Sequence, residues 1–223
     1  MPETKAKSPP SIGRVVRNAV AFNPRRRREN GVPMDRLLET VSTLFDLLAE
    51  READYLLVGG IALLQYVEGR NTEDIDLIMA MSDIRKIPEI DLTHREAHFA
   101  RGQFEGLRID FLLIENPVFD RVRREHSTVK PFAERNIPCV TAKGLALLKL
   151  YALPSLYRQG NFARVGLYEN DIATLLHGYR SELDMESLLG QLTPHLGKTD
   201  ISALREIVAD IERRLERFGN GFS

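Results

Sequence analysis

Residues 74–81 read DIDLIMAM. Strand side chains alternate between faces, so Asp74 and Asp76 share one face while LIMAM is apolar on both. A strand that is apolar on both faces belongs inside a sheet. The segment therefore predicts an internal strand whose leading end carries two adjacent like charges. Such a pair repels and resists leaving water, and an opposite charge relieves both problems. One source is an ordinary ion pair with Arg70 or Arg108. The other is a divalent cation, since hard carboxylate oxygens suit magnesium and substrate phosphates complete its shell. Asp110 offers a third carboxylate within LRIDFLLI (107–114), the best strand pattern in the chain. Three acids on two strands of one sheet are what a two-metal phosphoryl-transfer site requires. A calcium loop is excluded, because the EF-hand glycine and oxygen ligands are missing after Asp76.

The surrounding pattern gives the fold class. Residues 34–52 carry an apolar stripe at helical spacing (Met34, Leu37, Leu38, Val41, Leu44, Phe45, Leu48). YLLV at 55–58 reads as a short buried strand ending at Gly59-Gly60, with helical spacing over 61–68 and a strand over 72–79. A hairpin is predicted from 96–100 and 106–114 across GQFEG, then a short helix at 117–125 and two short strands within 128–140 around ERN. From 141 onward the patterns are helical: 141–157, 167–179, 184–193 and 200–218. The expectation is an α+β chain in which a small mixed β-sheet is flanked by helices and followed by a helical C-terminal part. Its divisions are a basic extension (1–33), an α/β core (34–140) and a helical region (141–223).

Charge is uneven along the chain. The net charge is −1, but residues 1–33 hold eight Lys/Arg and two Glu. The rest carries 23 basic and 30 acidic side chains. A basic arm on an acidic body points to an anionic partner, and RRRR (25–28) suits the sequence-independent phosphates of RNA. Its bland alternative is a solvated tail. Ile12, Val15, Val16, Ala19 and Val20 predict a short helix within the arm. The single cysteine, Cys139, excludes an internal disulfide and a cysteine zinc site, fits a reducing cytoplasm and reads as a packing residue. No apolar run approaches a membrane span, and no secretory h-region opens the chain. The five histidines show no ligand spacing.

Gly59-Gly60 sits at a strand–helix junction, where glycine allows a tight turn or lets a phosphate approach backbone amides. It is neither a Walker A loop nor G-x-G-x-x-G. In combination, GGIA at 59–62, RNTEDIDL at 70–77 and the later Asp110 resemble the polymerase-β-like nucleotidyltransferase superfamily. Within it, the run is most similar to the AbiEii-type toxin nucleotidyltransferases, whose pattern reads GG-x-A…R-x-T-x-D-I-D-L. The resemblance covers residues 55–115 and extends less clearly through 141–176.

It implies a nucleotidyltransferase fold with catalytic, metal-binding Asp74, Asp76 and Asp110, two Mg²⁺ (or Mn²⁺) ions, and a nucleoside triphosphate bound by Gly59, Gly60, Arg70 and Thr72. Lys149 has Leu145, Ala146, Ala152 and Leu153 as its helical neighbours. A lysine in such company needs an anion or must snorkel. The family places a lysine in such a helix, which implies phosphate contact by Lys149, with Lys143, Arg158 and Asp171 beside it. The family pattern R-x-x-K-D-x-x-D-I meets a departure here. Arg164 and Asp171 match, but Leu167 and Tyr168 replace the lysine–aspartate pair, with Glu169 as a substitute acid.

The implied activity is transfer of a nucleoside monophosphate to an acceptor hydroxyl on tRNA, another RNA or a protein. The implied setting is a toxin–antitoxin or abortive-infection system with a cognate antitoxin. Two alternatives stand beside it: an attenuated, antitoxin-like nucleotide-binding module, and an antibiotic-modifying nucleotidyltransferase.

Overall fold

The computed structural model describes residues 34–67, 74–132 and 135–219. The basic arm with its predicted helix, and Arg70 and Thr72 with their neighbours, lie outside the described residues. The chain divides into two compact units. One comprises residues up to Leu112 together with Val129–Cys139; the other comprises Leu113–Thr128 and Val140 onward.

The first unit is built on a seven-stranded mixed sheet. Helix α1 (Met34–Glu50) buries Val41, Leu44, Phe45 and Leu48, four members of the predicted stripe. It stops where Glu52 takes φ 48° and the Ala53 N–H returns to the Leu48 carbonyl, a left-handed cap of the Schellman kind. Strand β1 (Tyr55–Val58) is buried throughout and runs into α2 (Gly59–Leu63). Strand β2 (Ile75–Met79) is followed by the single turn α3 (Met81–Ile84). A meander follows: β3 (Asp91–Arg95), β4 (Phe99–Phe104) and β5 (Leu107–Leu113). Strands β6 (Ser127–Phe132) and β7 (Arg135–Val140) complete the sheet, in the order β3-β4-β5-β2-β1-β7-β6. β1 pairs antiparallel with β2 and parallel with β7, so the sheet is mixed. β2 is internal, as its two apolar faces require. Cys139 is fully buried beside Leu57, a packing residue.

Two sequence expectations change here. The sequence predicts a hairpin across GQFEG, yet Gly102, Gln103 and Phe104 continue β4, and the turn is only Glu105-Gly106. Both turn residues have positive φ (47° and 79°), which matches the twist of a two-residue hairpin. Phe104 is buried, so alternation carries the strand to the turn. Strand β3 was not anticipated: all five of its residues are exposed, and only pairing with β4 at the sheet edge defines it.

The second unit is helical. Helix α4 (Pro117–Glu125) begins with Asn116 accepting the Val118 N–H and proline in the first turn. Helices α5 (Ala142–Arg158), α6 (Phe162–Tyr179), α7 (Met185–Leu192) and α8 (Lys198–Gly219) follow. Thr141, Asn161 and Asp184 cap α5, α6 and α7 through their side chains. α6 starts five residues before the predicted 167, because Asn161 caps it. In α8, Ile201, Leu204, Val208 and Ile211 are buried, the core-facing part of the predicted stripe. No described helix is long and apolar enough to cross a membrane.

Glycines in this unit separate two opposing effects. A Cβ at Gly144 would meet Val140 Cγ2 at 2.5 Å and His126 Cβ at 2.8 Å, whereas one at Gly190 meets nothing within 4 Å. Gly190→Ala is expected to stabilise the second unit by up to about 1 kcal/mol through helix propensity. Gly144→Ala gains the same propensity but overpacks by about 1–3 kcal/mol, so a net loss is expected. Urea unfolding of both variants measures the two signs.

Candidate active site

The site starts from β1 and β2. Their antiparallel register sets Val58 opposite Asp76, so the glycine pair that follows β1 lies beside the Asp76 side chain. Gly59 adopts φ +66°, a conformation that non-glycine residues rarely take. A Cβ there would also stand 1.9 Å from Asp76 Oδ2 and 2.3 Å from its Cγ. The Gly60 N–H donates to Asp76 Oδ2 at 3.3 Å. The glycine pair thus seats a carboxylate, by leaving it room and by giving it a backbone donor. The resemblance implies that these amides meet a phosphate; in this structure the Gly60 amide meets Asp76.

The face that carries Asp76 is the charged face of the sheet. Along β5, Leu107, Ile109, Phe111 and Leu113 are buried on one side, and Arg108, Asp110 and Leu112 take the other. β5 neighbours β2, and on its far side β4 sets Arg101 directly opposite Asp110. Arg101 grips Asp110 with two hydrogen bonds, Nε to Oδ1 at 2.6 Å and Nη2 to Oδ2 at 3.2 Å. Arg108 Nη2 pairs with Asp74 Oδ2. The acids lie underneath: the Asp74 and Asp110 side chains are each 18% exposed, against 50% for Arg101 and 43% for Arg108. Each arginine is held above its ordinary pKa, first by the hydrogen bond to its own aspartate. Asp74 also acts on Arg101, and Asp110 on Arg108, so the four charges form one network.

Of the three predicted carboxylates, Asp74 and Asp76 stand together at the head of β2 and Asp110 lies on the adjacent strand. Among the described residues, no three His, Cys, Asp or Glu side chains are grouped to hold a metal ion. Asp110 is committed to Arg101 through both oxygens. Asp74 and Asp76, two hard oxygen donors side by side, fit one divalent cation of the kind that takes its remaining ligands from phosphates and water. Of the arginines named in the sequence reading as ion-pair partners, Arg108 takes that role. Arg101 was missed altogether. Its signal was the hairpin register, which sets 101 against 110 once the turn is placed at Glu105-Gly106.

In the second unit, Lys149 and Asp171 do come together. They form a buried ion pair at 2.7 Å, at 4% and 2% exposure. The ammonium also lies 4.2 Å from the centroid of the Tyr168 ring, a cation–π contact. Lys149 thus meets its anion within the protein. Tyr168, read as a departure from the family pattern, is part of that arrangement, while Leu167 is exposed. Glu169 accepts a 2.5 Å hydrogen bond from Tyr157, which pushes that phenol up to about 12. Arg158 pairs with Asp200 at 2.8 Å, and Lys143 is exposed in the first turn of α5. His94 and His98 are exposed on or beside β3, as expected of surface residues.

No family model matches the chain, and no curated protein matches it in sequence. Solved structures with a similar chain path include an antigenic nucleotidyltransferase-like protein from Paracoccidioides brasiliensis. It is 17% identical, with 76% of this chain and 91% of that one covered, at a TM-score of 0.46. Another is ANT(2")-Ia in complex with adenylyl-2"-tobramycin, 10% identical, with 74% and 95% covered, at a TM-score of 0.48. No residue role is carried over from either.

Two stability measurements test this geometry. Gly59→Ala is expected to destabilise the first unit by about 2–4 kcal/mol, from left-handed strain and overpacking together. In an Asp76→Ala background the same change costs clearly less, because the two closest contacts are gone; a double-mutant cycle measures the difference. Lys149→Met leaves Asp171 buried without its partner and is expected to cost about 3–5 kcal/mol. Lys149→Met with Asp171→Leu recovers most of that loss in urea unfolding.

Proposed function

We propose that the chain is a nucleotidyltransferase that moves a nucleoside monophosphate from a nucleoside triphosphate to an acceptor hydroxyl, releasing pyrophosphate. The observation that carries the reading is the seating of Asp76 against Gly59-Gly60 at the head of an internal strand, with Asp74 beside it. The resemblance of GGIA…RNTEDIDL to the AbiEii-type nucleotidyltransferases supports the same reading. Asp74 and Asp76 are the residues to hold magnesium or manganese, which would supply positive charge beside the triphosphate.

The chain's own groups have separable tasks. Gly59 and Gly60 fix where the Asp76 carboxylate stands. Arg101 and Arg108 supply positive charge on the same sheet face, suited to anionic oxygens. Asp110 is the candidate to take the proton of the attacking hydroxyl, because it is the carboxylate not needed for the first cation. Lys149 serves by pinning α5 to α6 through Asp171. The basic arm favours RNA, tRNA included, as acceptor. The AbiEii-type resemblance favours a toxin with a cognate antitoxin. One observation favours a second reading, a nucleotide-binding module without transfer: Asp74 and Asp110 are both already neutralised by arginine.

The test is label transfer from each α-labelled nucleoside triphosphate with magnesium, offered in separate arms to total RNA, extract protein and an aminoglycoside. Label on one arm, reduced at least ~100-fold in the Asp74→Asn, Asp76→Asn variant and abolished by chelator, is the expected result. Triphosphate binding without transfer on any arm favours the binding module. Neither binding nor transfer overturns both readings.

A further inference from the structure

The Arg101–Asp110 and Arg108–Asp74 pairs have a layered arrangement that a purely structural role does not require. The carboxylates are shielded at 18% exposure, and the arginines lie on the solvent side at 50% and 43%. A cation that is to reach Asp110 or Asp74 must compete with the guanidinium group already paired to it. Arg101 is bidentate, the strong form of such a pair. Arg108 is not: its Nε is buried and has no hydrogen-bond partner. A charged donor buried without an acceptor is penalised by more than an ordinary hydrogen bond contributes. With its Nε closed off from solvent, Arg108 meets an anion beyond Asp74 through the exposed part of its side chain. The singly bonded Arg108–Asp74 pair contributes little on its own, and the bidentate Arg101–Asp110 pair exchanges only for a ligand that offers several anionic oxygens at once.

We propose that Arg101 and Arg108 are displaceable counter-ions of this site. In the free protein they neutralise Asp110 and Asp74; when substrate arrives, its phosphate oxygens take the guanidinium groups, which leaves Asp74 to join Asp76 on a divalent cation and Asp110 open to a proton. This rests on the nucleotidyltransferase reading and adds two phosphate-binding residues to it. The exchange has a thermodynamic signature. Each ligand removes the competitor of the other, so cation and triphosphate bind with positive, reciprocal coupling. It also sets a condition on chemistry, since Asp110 is released to accept a proton only when Arg101 has moved to a phosphate.

The experiment reads binding rather than turnover. Manganese affinity is measured by electron paramagnetic resonance, with and without an α,β-methylene nucleoside triphosphate, and analogue affinity by calorimetry. The proteins are the full chain, Arg101→Gln, Arg108→Gln and Asp110→Asn, each checked for folding by circular dichroism. In the unaltered chain the analogue is expected to tighten manganese about tenfold, and manganese to tighten the analogue by the same factor. Each arginine variant is expected to bind manganese alone about fivefold more tightly, to bind the analogue about tenfold more weakly, and to lose most of the coupling. Asp110→Asn frees Arg101 without deleting it, so metal-free analogue affinity rises. Arg108→Lys, which keeps the charge, restores part of the analogue affinity.

Unchanged manganese affinity in both arginine variants, with a lowered melting temperature, would make these pairs structural and overturn the proposal. Unchanged analogue affinity in Asp110→Asn would do the same should the arginine variants fail to fold. A full chain that binds neither manganese nor analogue refutes the nucleotidyltransferase reading itself, a result distinguishable from variants that bind as the full chain does.

Discussion

The contact between the Asp76 carboxylate and the Gly59-Gly60 backbone is the constraint from which the first unit is organised. It exists only if β1 and β2 are antiparallel with Val58 opposite Asp76. A one-residue slip would turn Asp76 into the apolar side of the sheet and bring Ile75 or Leu77 to the charged side. It also exists only if residue 59 lacks a Cβ and accepts a left-handed φ. The fully buried strand β1 and the mostly buried β2 provide the rigidity that holds this register, because every slip would expose apolar side chains. A polar feature is thus placed by apolar packing, while the glycine pair removes the obstacle to it.

The second consequence is the distribution of charge. Once one face of β2 and β5 is buried, alternation sends Asp76, Arg108 and Asp110 to the other. Asp74, just before β2, joins them through its pair with Arg108. Three acids meet two arginines, so Asp74 and Asp110 are neutralised within the protein and one negative charge is left over. The charge that suits these carboxylates to a cation also draws in the arginines that compete with it.

Much of this was legible in the sequence, and the remainder was hidden for identifiable reasons. β1 and the internal character of β2 follow from apolar run length and from LIMAM, each a local signal, and α4 lies where a short helix is expected at 117–125. The Asp74–Asp76 pair was visible for the same reason. Their partners were not. Arg101 depends on the hairpin register, and moving the turn from 102–106 to Glu105-Gly106 is what brings it opposite Asp110. A turn with positive φ at a glutamate is a weak signal beside two glycines, and GQFEG offers both of them. Strand β3 was invisible because strands are read from alternation, and an edge strand exposed on both faces has none. The commitment of Lys149 to Asp171 required knowing that α5 and α6 pack together; the apolar company of the lysine showed only that it needed an anion.

Lys149 also changes how the departure at Tyr168 is understood. Read as a string, replacing an acid by tyrosine looks like loss. In the folded helix pair, a buried ammonium needs compensation on more than one side, and Asp171 supplies one carboxylate at 2.7 Å. A second carboxylate at residue 168 would leave the cluster with excess negative charge, whereas an aromatic face offers attraction without a formal charge. Tyr168 therefore balances the lysine within the protein, and the ion pair is complete before any ligand binds. A lysine so enclosed is poorly placed to respond to a triphosphate. The more exposed positive charge lies instead on one face of the sheet, in Arg101 and Arg108, whose side chains are 50% and 43% exposed.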